Sequence, residues 1–182
     1  MKIVLVFVST LDGKVTKWDD PYVRKWSSKS DQEYFSRIWK DSKLIVMGIN
    51  TFNADPPTPS AKRLLVIMTH RPSDYKKYEV SGQIEFTDDT PALLASRFEK
   101  DGHEQMLVVG GPHIATSFLK EQLSDELWLT IEPKIFGAGG NFVIEEKLDI
   151  NLQLINCKSV NNQGTLFTKY SVLKNKNIKL EN

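Results

Sequence analysis

At 182 residues, 40% of them hydrophobic, the chain can bury one proper core and is short for two. Its 24 basic and 23 acidic residues balance to +1 and form no basic stripe, which removes the electrostatic case for nucleic acid. A single cysteine, Cys157, excludes internal disulfides and cysteine-rich zinc sites and fits a reducing compartment. The first apolar run, Ile3 to Val8, is too short to span a membrane and lacks signal-peptide layout, so a soluble cytoplasmic protein is expected.

Lys2 to Val8, rich in Val, Ile and Phe, reads as a buried strand. Asp12-Gly13 marks a turn after it. Thr16 to Ser28 has no period but holds Trp18, Tyr22 and Trp26, rings that can cover a flat ligand or pack on the core. Ser30-Asp31-Gln32-Glu33 has the form of a capping box, which predicts a helix start with Tyr34, Phe35, Ile38 and Trp39 on its apolar face. Asp31 falls on that same face, one turn before Phe35. It is either an ordinary first-turn acid favoured by the helix dipole or a buried acid of raised pKa that can deliver a proton.

Leu44 to Met47 is a second buried strand, ended by Gly48. Asn50-Thr51 is expected to cap a short helix through Phe52 and Asn53, which makes this junction a possible anion site. Asp55-Pro56-Pro57-Thr58-Pro59 must be a stiff, extended loop. Lys62 and Arg63 precede a third strand, Leu64 to Met68. Thr69-His70-Arg71-Pro72 follows it with hydroxyl, imidazole and guanidinium groups together, either a phosphate site or a solvated loop. Ile84 to Thr87 is a fourth strand, and Thr90-Pro91 starts a helix closed by Gly102.

The chain is organised around Met106 to Leu119. Four apolar residues, Met106 to Val109, read as a strand buried on both faces. Gly110-Gly111 turns the backbone and lets another molecule approach without a Cβ in the way. Pro112 suits a first helical turn, and Ile114, Phe118 and Leu119 recur at helical spacing. This turn is either empty or a phosphate site built of free N–H groups and a positive dipole end. Beyond it, Glu126 to Glu132 alternates, with Leu127, Leu129 and Ile131 on one side. Phe136-Gly137-Ala138-Gly139-Gly140-Asn141 reads as a flexible loop. Leu152 to Val160 and Thr165 to Leu173 flank a hairpin turn at Asn161-Asn162-Gln163-Gly164.

These elements predict a single α/β domain over 1–174 and a frayed polar tail over 175–182. Its sheet should be mixed and mostly parallel, of about eight strands, with helices on both faces and an antiparallel C-terminal hairpin. The chain has no Gly-x-Gly-x-x-Gly after its first strand, no P-loop, no His-Glu-x-x-His and no Gly-x-Ser-x-Gly. His70, His103 and His113 are scattered, so a metal site is not expected.

Ser9-Thr10-Leu11-Asp12-Gly13-Lys14-Val15, Met47-Gly48-Ile49-Asn50-Thr51-Phe52, Val108-Val109-Gly110-Gly111-Pro112 and Asp125-Glu126-Leu127-Trp128-Leu129 come in an order that resembles the dihydrofolate reductase-like superfamily. Within it, the chain is most similar to the reductase domain of the bifunctional riboflavin-biosynthesis deaminase-reductase. The resemblance implies an NADPH-dependent reductase with a Gly-Gly peptide, often cis, against the cofactor pyrophosphate. Carried over, Gly110, Gly111, His113, Ile114 and Ala115 line the pyrophosphate, and Gly48, Asn50 and Thr51 hold the second cofactor edge. Thr69 and Arg71 meet the adenosine 2′-phosphate, and Ser9 with Asp12-Gly13 borders the nicotinamide. The two glycine-cleared junctions are thus expected to grip opposite ends of the cofactor.

For the substrate the resemblance leaves two branches. Thr51-Phe52-Asn53-Ala54-Asp55-Pro56 looks like the riboflavin-pathway pattern, with Asp55 at the cofactor–substrate junction. Trp26 to Phe35, with Asp31 inside, looks like the dihydrofolate reductase helix whose acid binds the pterin. Lys62 stands where one branch binds a substrate phosphate and the other a folate carboxylate. The glutamate that riboflavin-type enzymes often carry before the glycine turn is Val109 here, and the arginine that often follows the second strand's glycine in dihydrofolate reductases is Ile49. The expected activity is reduction of a pyrimidine- or pterin-like heterocycle, with Asp31, or next Asp55, as the acid. A non-catalytic NADPH-binding protein and an inert scaffold are the rivals. The chain starts at the reductase's own first strand, so a free-standing reductase is expected. Leu127-Leu129-Ile131 and the hairpin offer a surface for a homodimer, as in related reductases.

Overall fold

Among the described residues, 1–174 of the computed structural model, eight strands join one sheet: β1 (Lys2–Thr10), β2 (Leu44–Gly48), β3 (Leu64–Met68), β4 (Ile84–Thr87), β5 (Gln105–Val108), β6 (Glu126–Glu132), β7 (Asn151–Ser159) and β8 (Leu166–Leu173). The tail expected over 175–182 lies outside the described residues. Four α-helices, α1 (Lys29–Asp41), α2 (Ile49–Ala54), α3 (Pro91–Lys100) and α4 (Pro112–Lys120), connect the strands. The sheet order is β4-β3-β2-β5-β1-β6-β8-β7. Every pair from β4 to β6 is parallel, and the β6–β8 and β8–β7 pairs are antiparallel. This is the mixed sheet with an antiparallel C-terminal hairpin that the pattern predicts.

The short apolar runs are central strands because both their faces are covered. Leu44, Val46, Met106 and Val108 pack on one side with Leu94 and Phe98 of α3 and Phe118 and Leu119 of α4. Ile45, Met47, Leu65 and Leu107 face the other way, onto Phe35, Ile38 and Trp39 of α1 and Phe52 of α2. Successive strand residues point to opposite faces, so one unbroken apolar run serves both layers.

Two helix starts differ from expectation. α1 begins at Lys29, with Ser28 and not Ser30 as its cap: Ser28 Oγ accepts the Asp31 N–H at 3.3 Å. The cap therefore sits two residues early and Asp31 occupies the third helical position, but the box is not reciprocal, because the Ser28 N–H donates to Glu132 Oε1. α2 begins at Ile49, capped by Gly48 with no side-chain hydrogen bond, so Asn50 and Thr51 lie inside the helix. α3 follows the prediction, with Thr90 Oγ1 accepting the Leu93 N–H at 3.3 Å and Pro91 in the first turn.

The glycine-rich loop after β6 is laced to the β1 loop. Asp12 Oδ2 accepts the Gly137 N–H at 2.7 Å, the Val15 N–H donates to the Gly140 carbonyl at 2.8 Å, and the Gly140 N–H donates to Thr16 Oγ1 at 2.7 Å. A Cβ on Gly139 would lie 2.2 Å from the Thr16 carbonyl oxygen. The glycines permit close approach of two backbones; the expectation of a free loop is corrected on that ground.

Candidate functional site

β5 enters the sheet between β2 and β1. The crossover from β1 to β2 and the crossover from β5 to β6 leave in opposite directions, which makes a switch point at the C-terminal ends of the strands. A cleft of about 2640 Å³ opens there. Pockets for one drug-sized ligand hold about 300–1,000 Å³, so this cleft has room for a dinucleotide and a second molecule together.

One side of the cleft is made of backbone. The Gly110–Gly111 peptide is cis, and Gly110 has φ +142°. The Gly48 N–H donates to the Gly110 carbonyl at 2.8 Å. A Cβ on Gly110 would meet Thr51 Oγ1 at 2.8 Å, and one on Gly48 would meet Ile114 at 3.0 Å and the Gly111 nitrogen at 3.4 Å. The two glycine junctions expected at opposite ends of a cofactor are therefore one composite notch, because β2 and β5 are neighbours. Gly111 caps α4 without a side chain, and Pro112 has no N–H. First-turn N–H groups have no partner within their helix, so those of His113 and Ile114 stay open to an anion.

The other side is made of side chains. Asp31 is 5% exposed, pressed by α1 against the Thr130 face of β6. Burial pushes its carboxyl up to about 6. The Thr130 and Ser27 hydroxyls pull it part of the way back, and the Glu132 charge pushes it further up. Among the described residues Ser27 Oγ is buried and has no other hydrogen-bond partner, which leaves it to Asp31. Ser27, Thr130 and Asp31 all face the cleft.

Gly48, Asn50, Thr51, Gly110 and Gly111 line the cleft, as do His113 and Ile114. Thr69 and Arg71 line it past the end of β3, where the Arg71 N–H donates to Thr69 Oγ1 at 3.3 Å. Phe35 lines it from α1. Asp55 stands exposed at the rim, 3.4 Å from the Arg24 guanidinium. Other expected residues lie elsewhere. Ala115 is fully buried behind the notch, and Ser9 is buried in β1. Asp12 and Gly13 stand behind the cleft wall, where the Asp12 carboxylate also takes the Thr10 hydroxyl and is held below the usual carboxylate range by it. Trp26 is 4% exposed, edge-on to Phe136, so it packs on the core; Trp18 and Tyr22 of the same loop are exposed. Lys62 lies on an exposed turn outside the cleft.

Ser27, Thr130 and Glu132 were not among the residues expected here. The signal for two of them is present in the alternation of β6. If Leu127, Leu129 and Ile131 face one way, then Trp128, Thr130 and Glu132 face the other, and a carboxylate on a covered strand face is unusual.

A model of the RibD C-terminal domain family matches residues 1–166. The Bacillus subtilis protein YwjB is 22% identical over 144 residues, which cover 76% of this chain and 80% of that protein. The riboflavin biosynthesis protein RibD of Aquifex aeolicus is 24% identical over 191 residues, covering 81% of this chain and 52% of that protein. Among solved structures, the diaminohydroxyphosphoribosylaminopyrimidine deaminase/5-amino-6-(5-phosphoribosylamino)uracil reductase of Thermotoga maritima superposes with a TM-score of 0.73 at 16% identity, over 94% of this chain and 56% of that one. The fold, the glycine notch at the switch point and the match across most of the sequence agree: this chain belongs to the RibD C-terminal domain family.

Proposed function

We propose that the protein is a cytoplasmic NADPH-dependent reductase of the riboflavin-biosynthesis type, similar to 5-amino-6-(5-phosphoribosylamino)uracil reductase, acting on a pyrimidine- or pterin-like heterocycle. The observation that carries this reading is the pairing of a side-chain-free anion notch with a buried acid in one cleft. The residues fit the cofactor. The notch is kept open by Gly48 and Gly110, where a Cβ would crowd Ile114 and Thr51, and the dipole end of α4 favours a pyrophosphate. Arg71 offers a fork of donors to a 2′-phosphate, beside the Thr69 hydroxyl. Bound there, the reduced nicotinamide supplies the hydride.

The chain's own residues do the rest. The notch orients the cofactor, and the large cleft brings a heterocycle onto it. Asp31 holds a proton at its carboxyl up to about pH 6 and can pass it to a ring nitrogen. A dihydrofolate reductase activity is the second reading, favoured by the seat of that acid on α1. The exposed Leu152, Leu154 and Ile155 of edge strand β7 support a homodimer built through this edge. Among the described residues, no helix is long and apolar enough to cross a membrane.

The test is loss of reduced-nicotinamide absorbance with ribosylaminopyrimidines, pterins and folates. Turnover is expected with one class, and Asp31→Asn should lower kcat by about 100-fold or more while NADPH affinity holds. Saturable NADPH binding with no hydride loss on any of them would leave a cofactor-binding protein and end the reductase reading.

A further inference from the structure

Glu132, the last residue of β6, is 1% exposed. Carboxylates are almost never buried so fully unless paired. Both its oxygens accept: Ser28 N–H donates to Oε1 at 2.7 Å and the Thr165 hydroxyl donates to Oε2 at 2.8 Å. Thr165 is held in turn by Asn161, whose Nδ2 donates to Thr165 Oγ1 at 2.9 Å. Ser28 is also the cap whose Oγ accepts the Asp31 N–H. One carboxylate thus joins β6, the β7–β8 turn and the helical turn that carries the acid of the cleft. Each oxygen takes a donor, as a carboxylate can.

The charge has a consequence for Asp31. The N-terminal end of α1 carries a dipole equivalent to about half a positive charge, which favours an ionised carboxylate in the first turn. Glu132 brings a negative charge to the same end, which opposes that preference. The ionisable groups that face Asp31 are Glu132 from β6 and Tyr34 from α1. Lys134, past the end of β6, has its ammonium on the Trp26 carbonyl.

We propose that Glu132 is a positioning residue for Asp31: it seats the first turn of α1 on the sheet and sets a carboxylate charge beside the acid of the cleft. Its use in catalysis rests on the reductase reading above. Glu132→Gln keeps an acceptor for the Ser28 N–H and removes the charge, so a purely structural role would survive it. Carboxyl-carbon NMR titration of the free protein is expected to show the Asp31 midpoint falling in E132Q. In E132D, which draws the carboxylate back toward the sheet and away from α1, a smaller fall of the Asp31 midpoint is expected. The acid limb of the kcat profile should move with Asp31. An unmoved Asp31 midpoint in folded E132Q would overturn the proposal; should E132Q fail to fold, E132D decides alone. Coupled titrations without turnover on any heterocycle would sink the reductase reading and leave the hold of Glu132 on Asp31 standing. Turnover with uncoupled titrations would sink this proposal only.

Discussion

The two polar sides of the cleft are built by opposite means. The notch is backbone from neighbouring strands, cleared of side chains at Gly48, Gly110 and Gly111. The acid pocket is side chains from distant segments: Ser27 and Asp31 near the start of the chain, Thr130 and Glu132 a hundred residues later. A backbone site tolerates no added atom, whereas a side-chain site can be retuned by one charge. Both can be broken separately, and the sizes should differ.

The largest effect is expected at the notch. Gly110→Ala forces a Cβ to 2.8 Å from Thr51 Oγ1 at φ +142°. Up to about 3 kcal/mol, on the order of 150-fold in NADPH affinity by calorimetry, should be lost. An alanine variant that binds normally would show that the notch is not the cofactor's seat.

Asp31 should show itself next, through stability. Its carboxyl is raised from an ordinary 3.8 to about 6, so it binds its proton more tightly folded than unfolded. That contribution favours the fold fully below pH 3.8 and is lost as pH rises through about 6. The size is about 3 kcal/mol. Asp31→Asn should therefore raise Tm by about 6–12 °C at pH 8 and scarcely at pH 4. An equal change at both pH values would mean that Asp31 is not buried as a titrating group.

Arg71→Ala should cost about 1–2 kcal/mol of NADPH affinity, near tenfold, and leave NADH unchanged. The smallest effect concerns the loops behind the wall. Asp12→Asn should speed amide exchange at Phe136 and Gly137, whose N–H groups its carboxylate accepts, with little change in turnover.

The same contrast explains what could be read in the sequence. Gly110-Gly111-Pro112 after an apolar strand specifies its own geometry locally, so the notch was legible. Asp31 was legible as a residue on a core-facing stripe, because helical spacing is local too. Its partners were not: Thr130 and Glu132 reach it only because β6 lies beside β1 beneath α1, and strand order is absent from any local pattern. The fusion of two junctions into one notch was hidden for the same reason. Gly139 misled in another way, since a glycine marks equally a free backbone and a crowded one, and here Thr16 crowds it.

The place of β5 has a bearing on how the chain is assembled. Among the described residues the ladder partners of β1 are β5 and β6, so a growing chain carries β1 without a strand beside it until residue 105 has been made. Meanwhile β2, β3 and β4 can already zip together. β1 must wait, apolar and exposed, for a later segment to slot in beside it, which makes this a slow-maturing topology with a long window for mispairing during synthesis.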